Sequence, residues 1–156
     1  MHIRKAKIND AVNIQSLVNF YAEKDTMLPR ALSEIYENIR DFWVVEENGA
    51  VIGCAALHIA WEDLAEIKSL AVKEEFAKRG VGKMMMNECM EDAKKLGVKK
   101  IFALSYVPEY FKKYGFKQIK KEKLPHKIWN ECIRCPKFPD CGEIALLYEI
   151  NGHQGN

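Results

Sequence analysis

The sequence contains no hydrophobic run long enough to cross a membrane, and no apolar core follows a basic start as it would in a secretory leader. Membrane-embedded and exported classes are therefore not expected. An excess of one charge is missing too. Lys and Arg number 24 against 22 Asp and Glu, leaving +2, far from the basic surplus of a nucleic-acid-binding surface. Proline is scarce, and three of its five copies, Pro125, Pro136 and Pro139, crowd into one segment. Elsewhere little interrupts helices and strands. Repeats, low-complexity tracts and linkers are absent as well, so a single domain over residues 1–150 with a polar tail at 151–156 is expected. Five cysteines with no leader imply a reducing, cytoplasmic setting. What remains is 48% apolar and 29% charged residues in 156, the composition of a soluble globular domain with a sizeable core.

The chain is organised around residues 64–96. Ala65 to Val72 has the apolar density of a buried strand. Lys78-Arg79-Gly80-Val81-Gly82-Lys83 follows, and then Val81, Met85, Cys89, Ala93 and Leu96 recur at the spacing of one helix face. Strand, glycine turn and helix start together aim several backbone N–H groups at one point. The helix dipole and the charges of Lys78, Arg79 and Lys83 add positive potential there. Gly80 and Gly82 leave room for an anion to approach the backbone. The three-glycine dinucleotide fingerprint and the Gly-Lys-[Ser/Thr] phosphate loop are both missing.

The remaining elements follow in order. His2 to Lys7 reads as a first strand. A helix capped by Asn9-Asp10 carries Ile14, Leu17, Val18 and Tyr21 on one face. Ser33 is the expected cap of a second helix running to Arg40. Phe42 to Glu47 and Ala50 to Ile59 are strands joined by the hairpin pair Asn48-Gly49. Gly97 stops the long helix, and Lys99 to Leu104 is the next strand, which implies a right-handed parallel crossover. A short helix over Glu109 to Tyr114 and strands over Phe116 to Lys121 and Glu143 to Ile150 complete the pattern.

Ala77-Lys78-Arg79-Gly80-Val81-Gly82 resembles the acetyl-CoA motif of the GNAT acetyltransferases, Arg/Gln-x-x-Gly-x-Gly/Ala, with Ala77 in place of the usual Arg or Gln. Tyr110-Phe111-Lys112-Lys113-Tyr114-Gly115-Phe116 resembles that family's second signature, Phe-Tyr-x-x-x-Gly-Phe, with Phe111 where the Tyr usually stands. The resemblance implies an α/β (α+β) GNAT fold, a mixed sheet of six to seven strands with helices on both faces. It implies that backbone amides at Lys78, Arg79, Gly80, Val81, Gly82 and Lys83 hold the CoA pyrophosphate, and that the thioester lies beside Leu70, Ala71 and Val72.

Transfer to an amine needs a base for the ammonium, a donor for the oxyanion and, in some cases, an acid for the thiolate. Glu66, a carboxylate inside an apolar strand, is the base candidate, directly or through a water; its alternative is a structural carboxylate paired with a cation. The oxyanion donor falls to a backbone N–H near Ala71 or Val72. Tyr110 and Tyr106 are the acid candidates, and unassisted departure of the thiolate is the alternative.

Met27-Leu28-Pro29-Arg30, Ile52 to Leu57, Glu66 to Val72 and Phe102 to Ser105 resemble the acetyltransferase part of N-acetylglutamate synthases. That resemblance implies an amino-acid substrate, glutamate first, for arginine synthesis. Arg30 would hold a substrate carboxylate, with Lys68 and Lys127 secondary; the alternative for Arg30 is a solvated helix-start residue. Other readings are an acetyltransferase for a polyamine, drug or protein amine, and a non-catalytic CoA- or metal-responsive module. A homodimer is left open as the assembly. Residues 124–141 do not fit the plain fold. His126, Cys132, Cys135 and Cys141 have the residue types of a structural Cys3His zinc site. The alternatives are packed or oxidised thiols and an iron–sulfur cluster. Cys54 and Cys89 fall in strand and helix patterns and are expected in the core.

Overall fold

The computed structural model describes residues 1–124 and 142–150. His126, Lys127, Cys132, Cys135 and Cys141, and with them the expected zinc site, lie outside the described residues, as does the 151–156 tail. Among the described residues, seven strands form one sheet: β1 (His2–Lys5), β2 (Phe42–Glu47), β3 (Ala50–Trp61), β4 (Leu64–Val72), β5 (Lys100–Ser105), β6 (Lys117–Ile119) and β7 (Ile144–Glu149). Their order is β1-β2-β3-β4-β5-β7-β6. Only β4 and β5 run parallel; every other neighbouring pair is antiparallel. Helices α1 (Ala11–Ala22) and α2 (Leu32–Glu37) cover one face, and α3 (Val81–Leu96) covers the other. α4 (Pro108–Lys112) follows β5. The expected mixed sheet with helices on both faces is what the chain forms.

Local chemistry explains the joints. Asn48 and Gly49 take φ of 51° and 81°, the left-handed pair that a two-residue hairpin needs to match the strand twist. α3 is the crossover between β4 and β5. Its Val81, Met85, Cys89 and Ala93 are buried against the sheet, but Leu96 is 59% exposed. The apolar face therefore ends one turn early, and Val98 takes over the contact past Gly97. The thiols of Cys54 and Cys89 sit in the core, and burial pushes both up to about 12. Neither is a reactive thiolate.

Two cap assignments are corrected. Ala31 occupies the N-cap of α2, Ser33 lies inside the helix, and α2 stops at Glu37, with a tight 3-10 turn over Ile39–Asp41. Asp10 precedes α1 but does not cap it. Its carboxylate turns back to accept from Arg4 Nη1 at 2.8 Å, Arg4 Nη2 at 3.0 Å and the Lys7 N–H at 2.7 Å. A bidentate arginine outcompetes a helix end because each charge-assisted bond is the stronger one.

The Arg4 guanidinium holds the Asp10 carboxyl below the usual carboxylate range. Stability from this pair is therefore present above the unfolded carboxylate value of roughly 3.9 and is lost as pH falls through the lower folded value. Asp10→Asn is expected to cost roughly 1.5–3 kcal/mol at neutral pH. Thermal melts of the two proteins should converge as the pH drops below about 4. A constant gap from pH 7 down to 3 would show that the pair contributes nothing through its charge.

Candidate active site

The site begins where two strands part. β4 and β5 pair only from Leu64↔Lys100 to Glu66↔Phe102. β5 then continues against β7 as far as Ser105↔Ile144, while β4 continues against β3 to Val72↔Gly53. Past Glu66 the two strands diverge and open a wedge in the sheet. In β4, Cys54↔Ala71 and Ala56↔Lys68 leave Ser69 and Leu70 opposite Ala55 alone. This is a β-bulge, with Ser69 at φ 57° and its carbonyl accepting from Cys54 Sγ at 3.3 Å.

The bulge shifts the face parity of the strand. Ala65 and Ile67 pack toward α3, but after the extra residue Leu70 and Val72 take that direction and Ala71 turns to the α1 side. The Val72 carbonyl accepts a hydrogen bond from the Tyr21 hydroxyl. Leu70, Ala71 and Val72 thus lie on the wall of the wedge, on backbone re-aimed by a left-handed residue.

The mouth of the wedge is the start of α3. Met84 N–H donates to Gly80 O at 3.0 Å as the first helical bond, and no side chain caps the helix. The N–H groups of Val81, Gly82 and Lys83 therefore have no acceptor within the helix. The two glycines serve different needs. Gly80, at φ +84°, is required by conformation, with open space around it. Gly82 is required by space, because a Cβ there would fall on the Tyr110 hydroxyl. Lys78, at φ 63°, Arg79 and Lys83 ring the turn from exposed positions. Arg79 rests over the Phe76 ring at 4.9 Å.

Tyr110 and Phe111 have opposite placements. Phe111 is buried, edge-on to Phe116 at 5.5 Å between ring centroids. Tyr110, not Phe111, reaches the Gly82 turn, so the two sequence motifs meet through this phenol. Burial, with Tyr114 beside it, pushes the Tyr110 hydroxyl above its ordinary value. It stays protonated at neutral pH and is able to donate.

Glu66 is 7% exposed and faces the α1–α2 side of the sheet, opposite His58 on β3 and Phe102 on β5. On that side a pocket is lined by Arg30, Glu34, Asn38, Asp41, Lys68 and Ser69 over a floor that includes Phe42 and Ala56. Arg30 and Lys68, widely separated in the chain, come together here. Arg30 Nη1 pairs with Glu34 at 3.2 Å, but its Nε is buried with no hydrogen-bond partner among the described residues.

Two residues that the sequence reading did not single out also belong here. Asp41 Oδ2 lies 2.6 Å from His58 Nδ1. A lone histidine in an otherwise apolar strand was the available signal. Among the described residues, no cluster of His, Cys, Asp and Glu is placed to hold a metal ion, and no helix is long and apolar enough to cross a membrane.

Residues 8–116 match the model of the acetyltransferase (GNAT) family. An uncharacterized N-acetyltransferase of Chlorobaculum tepidum is 41% identical over 145 residues, covering 93% of this chain and 94% of its own. An amino-acid acetyltransferase of Mycobacterium tuberculosis is 33% identical over 135 residues, 85% of this chain and 77% of its own. Among solved structures, N-acetylglutamate synthase from Neisseria gonorrhoeae, complexed with coenzyme A and N-acetyl-glutamate, is similar at a TM-score of 0.84 and 26% identity. That match covers 96% of this chain but only 35% of the larger protein. A Mycobacterium tuberculosis protein in complex with CoA gives a TM-score of 0.81 at 29% identity, covering 96% and 99% of the two chains.

Proposed function

Because this chain belongs to the acetyltransferase (GNAT) family, we propose that it moves the acetyl group of acetyl-CoA to the α-amine of an amino acid, glutamate first. Formation of N-acetylglutamate, in the reducing interior of the cell and feeding arginine synthesis, is the activity this reading assigns. Names and bound ligands of the similar proteins support the amino-acid class. The observation that carries the reading is the Arg30–Lys68 pocket on the Glu66 face. A buried arginine N–H with no acceptor is a deficit of roughly 1–3 kcal/mol. The carboxylate of a substrate is the group whose planar geometry meets Nε and an Nη together.

In this reading the pyrophosphate takes the open N–H groups at Val81, Gly82 and Lys83, with Lys78 and Arg79 supplying charge. The pantetheine runs down the wedge along Leu70 to Val72. Glu66 accepts a proton from the substrate ammonium, freeing the amine to attack the thioester carbonyl. A backbone N–H near the bulge at Ala71 or Val72 donates to the tetrahedral oxyanion. In this reading Tyr110 gives its proton to the departing thiolate, and its hydroxyl is restored by the second proton that leaves the nitrogen. A zinc held by His126, Cys132, Cys135 and Cys141 would staple its segment and supply no chemistry.

Glu34 and Asp41 on the pocket wall favour a second reading, a cationic substrate such as a polyamine. Both carboxylates already have partners, Arg30 and His58, which weakens it. Thiol release from acetyl-CoA with a panel of amino acids, polyamines and peptide amines separates the two. Arg30→Ala is expected to raise the KM for glutamate by roughly 10- to 100-fold, the loss of a charge-assisted bond, and to leave the KM for acetyl-CoA unchanged. Turnover of polyamines with glutamate ignored would overturn the amino-acid reading.

A further inference from the structure

We propose that His58, held by Asp41, is the proton exit behind Glu66. The inference rests on the reading of Glu66 as the base. Acetylation of an ammonium by a thioester removes two protons from nitrogen. One ends on the CoA thiol and one must reach solvent in every turnover. Glu66 is 7% exposed, so a proton it takes has no direct route out, and the carboxylate must be restored before the next cycle.

The neighbour across the strand is His58. The two residues are Cα partners in the β3–β4 register, and directly opposed antiparallel residues share a face with Cβ atoms roughly 4.5–5.5 Å apart. His58 is the more open of the two, at 31% side-chain exposure. The Asp41 carboxylate lies 2.6 Å from Nδ1, where it can accept an Nδ1–H. In the tautomer that donates from Nδ1, Nε2 is the acceptor nitrogen.

The proton balance follows. The substrate ammonium gives one proton to the Glu66 carboxylate. The resulting carboxylic acid gives it to His58 Nε2, forming an imidazolium whose charge the Asp41 carboxylate offsets. Nε2 then releases the proton to water, and Glu66 is again a carboxylate. The other charged groups that line the pocket are Lys68 on β4 and, beside α2, Arg30 and Glu34. Arg30 and Glu34 are engaged with each other, and lysine and arginine are already protonated, so none of these offers an acceptor nitrogen.

The test compares His58→Gln, Asp41→Asn, Glu66→Gln and the His58→Gln/Glu66→Gln double variant in the full chain, with folding checked by thermal melting. His58→Gln is expected to lower kcat for glutamate by on the order of 10-fold or more, with the KM for acetyl-CoA unchanged. Asp41→Asn, which keeps the imidazole, should give a smaller fall in kcat and serves if the Gln variant does not fold. Added imidazole should restore turnover to a His58→Ala protein. In the double variant the losses should not add, because His58 acts only through Glu66.

His58→Gln within twofold of wild type, beside a crippled Glu66→Gln, would overturn the proton exit and leave the base reading standing. Fully additive losses would do the same, marking His58 as structural. Near-normal turnover by Glu66→Gln would instead remove the base reading, and the exit with it.

Discussion

Gly82→Asp is expected to abolish acetyl-CoA binding while the protein stays folded. The substitution adds a carboxylate where the open N–H groups of Val81, Gly82 and Lys83 converge. It satisfies those donors itself and repels an incoming phosphate. An acidic residue in the first helical turn is favourable to the helix, and position 82 does not carry the positive φ that makes Gly80 unsuitable for the experiment. Two charge-assisted hydrogen bonds lost correspond to a weakening of roughly 10²- to 10⁴-fold. The new Cβ would fall on the Tyr110 hydroxyl, so Tyr110 must give way. The same substitution in a Tyr110→Phe background removes that overlap, since the next ring atom lies 3.4 Å away. Calorimetry with acetyl-CoA and a thermal melt check both halves of the expectation. Unchanged affinity in a folded Gly82→Asp protein would take the pyrophosphate away from this turn.

Glu66→Gln is expected to lower turnover by roughly 10²- to 10⁴-fold, the range for removal of a positioned base, and to leave acetyl-CoA affinity near wild type. Glutamine keeps the shape and an acceptor oxygen but cannot take the proton. Glu66 belongs to the stretch where β4 still pairs with β5, one residue before the strands part. Its backbone is therefore fixed on both sides while its side chain faces the Arg30–Lys68 side of the sheet. That placement separates the proposed chemistry from the proposed cofactor contacts, which lie farther along β4 and at α3. Steady-state kinetics against both substrates reads the split. Turnover within a few-fold of wild type would make Glu66 a structural carboxylate and send the search for the base elsewhere.

Local rules decided much of the architecture. Asn48-Gly49 fixed a hairpin because two adjacent left-handed residues allow little else. Gly80 and Gly97 bounded α3 for the same conformational reason, and the Val81-Met85-Cys89-Ala93 repeat named the face that is buried. The two motifs marked the glycine turn before α3, and α4, because each depends on residue types a few positions apart.

What the chain could not disclose by itself depends on register and on long-range company. β3 and β4 shift register twice, at Cys54/Ala56 and at Ile59/Trp61, so counting back from the turn does not place His58 against Glu66. The bulge at Ser69 reverses which side Leu70 and Val72 take, a parity change invisible in the apolar pattern. Ser33 and Asp10 have the residue types of caps, yet Ala31 starts α2 and Arg4 claims Asp10, because a tertiary partner that offers two charged bonds wins over a helix end. That Phe111 is core and Tyr110 reaches Gly82 is decided by packing against Phe116 and not by the motif. Residue type and local spacing determined the elements and the glycine turn at the start of α3. The tertiary structure alone decided which side chains share a pocket, because strand register and cross-chain partners are set by the whole sheet closing at once.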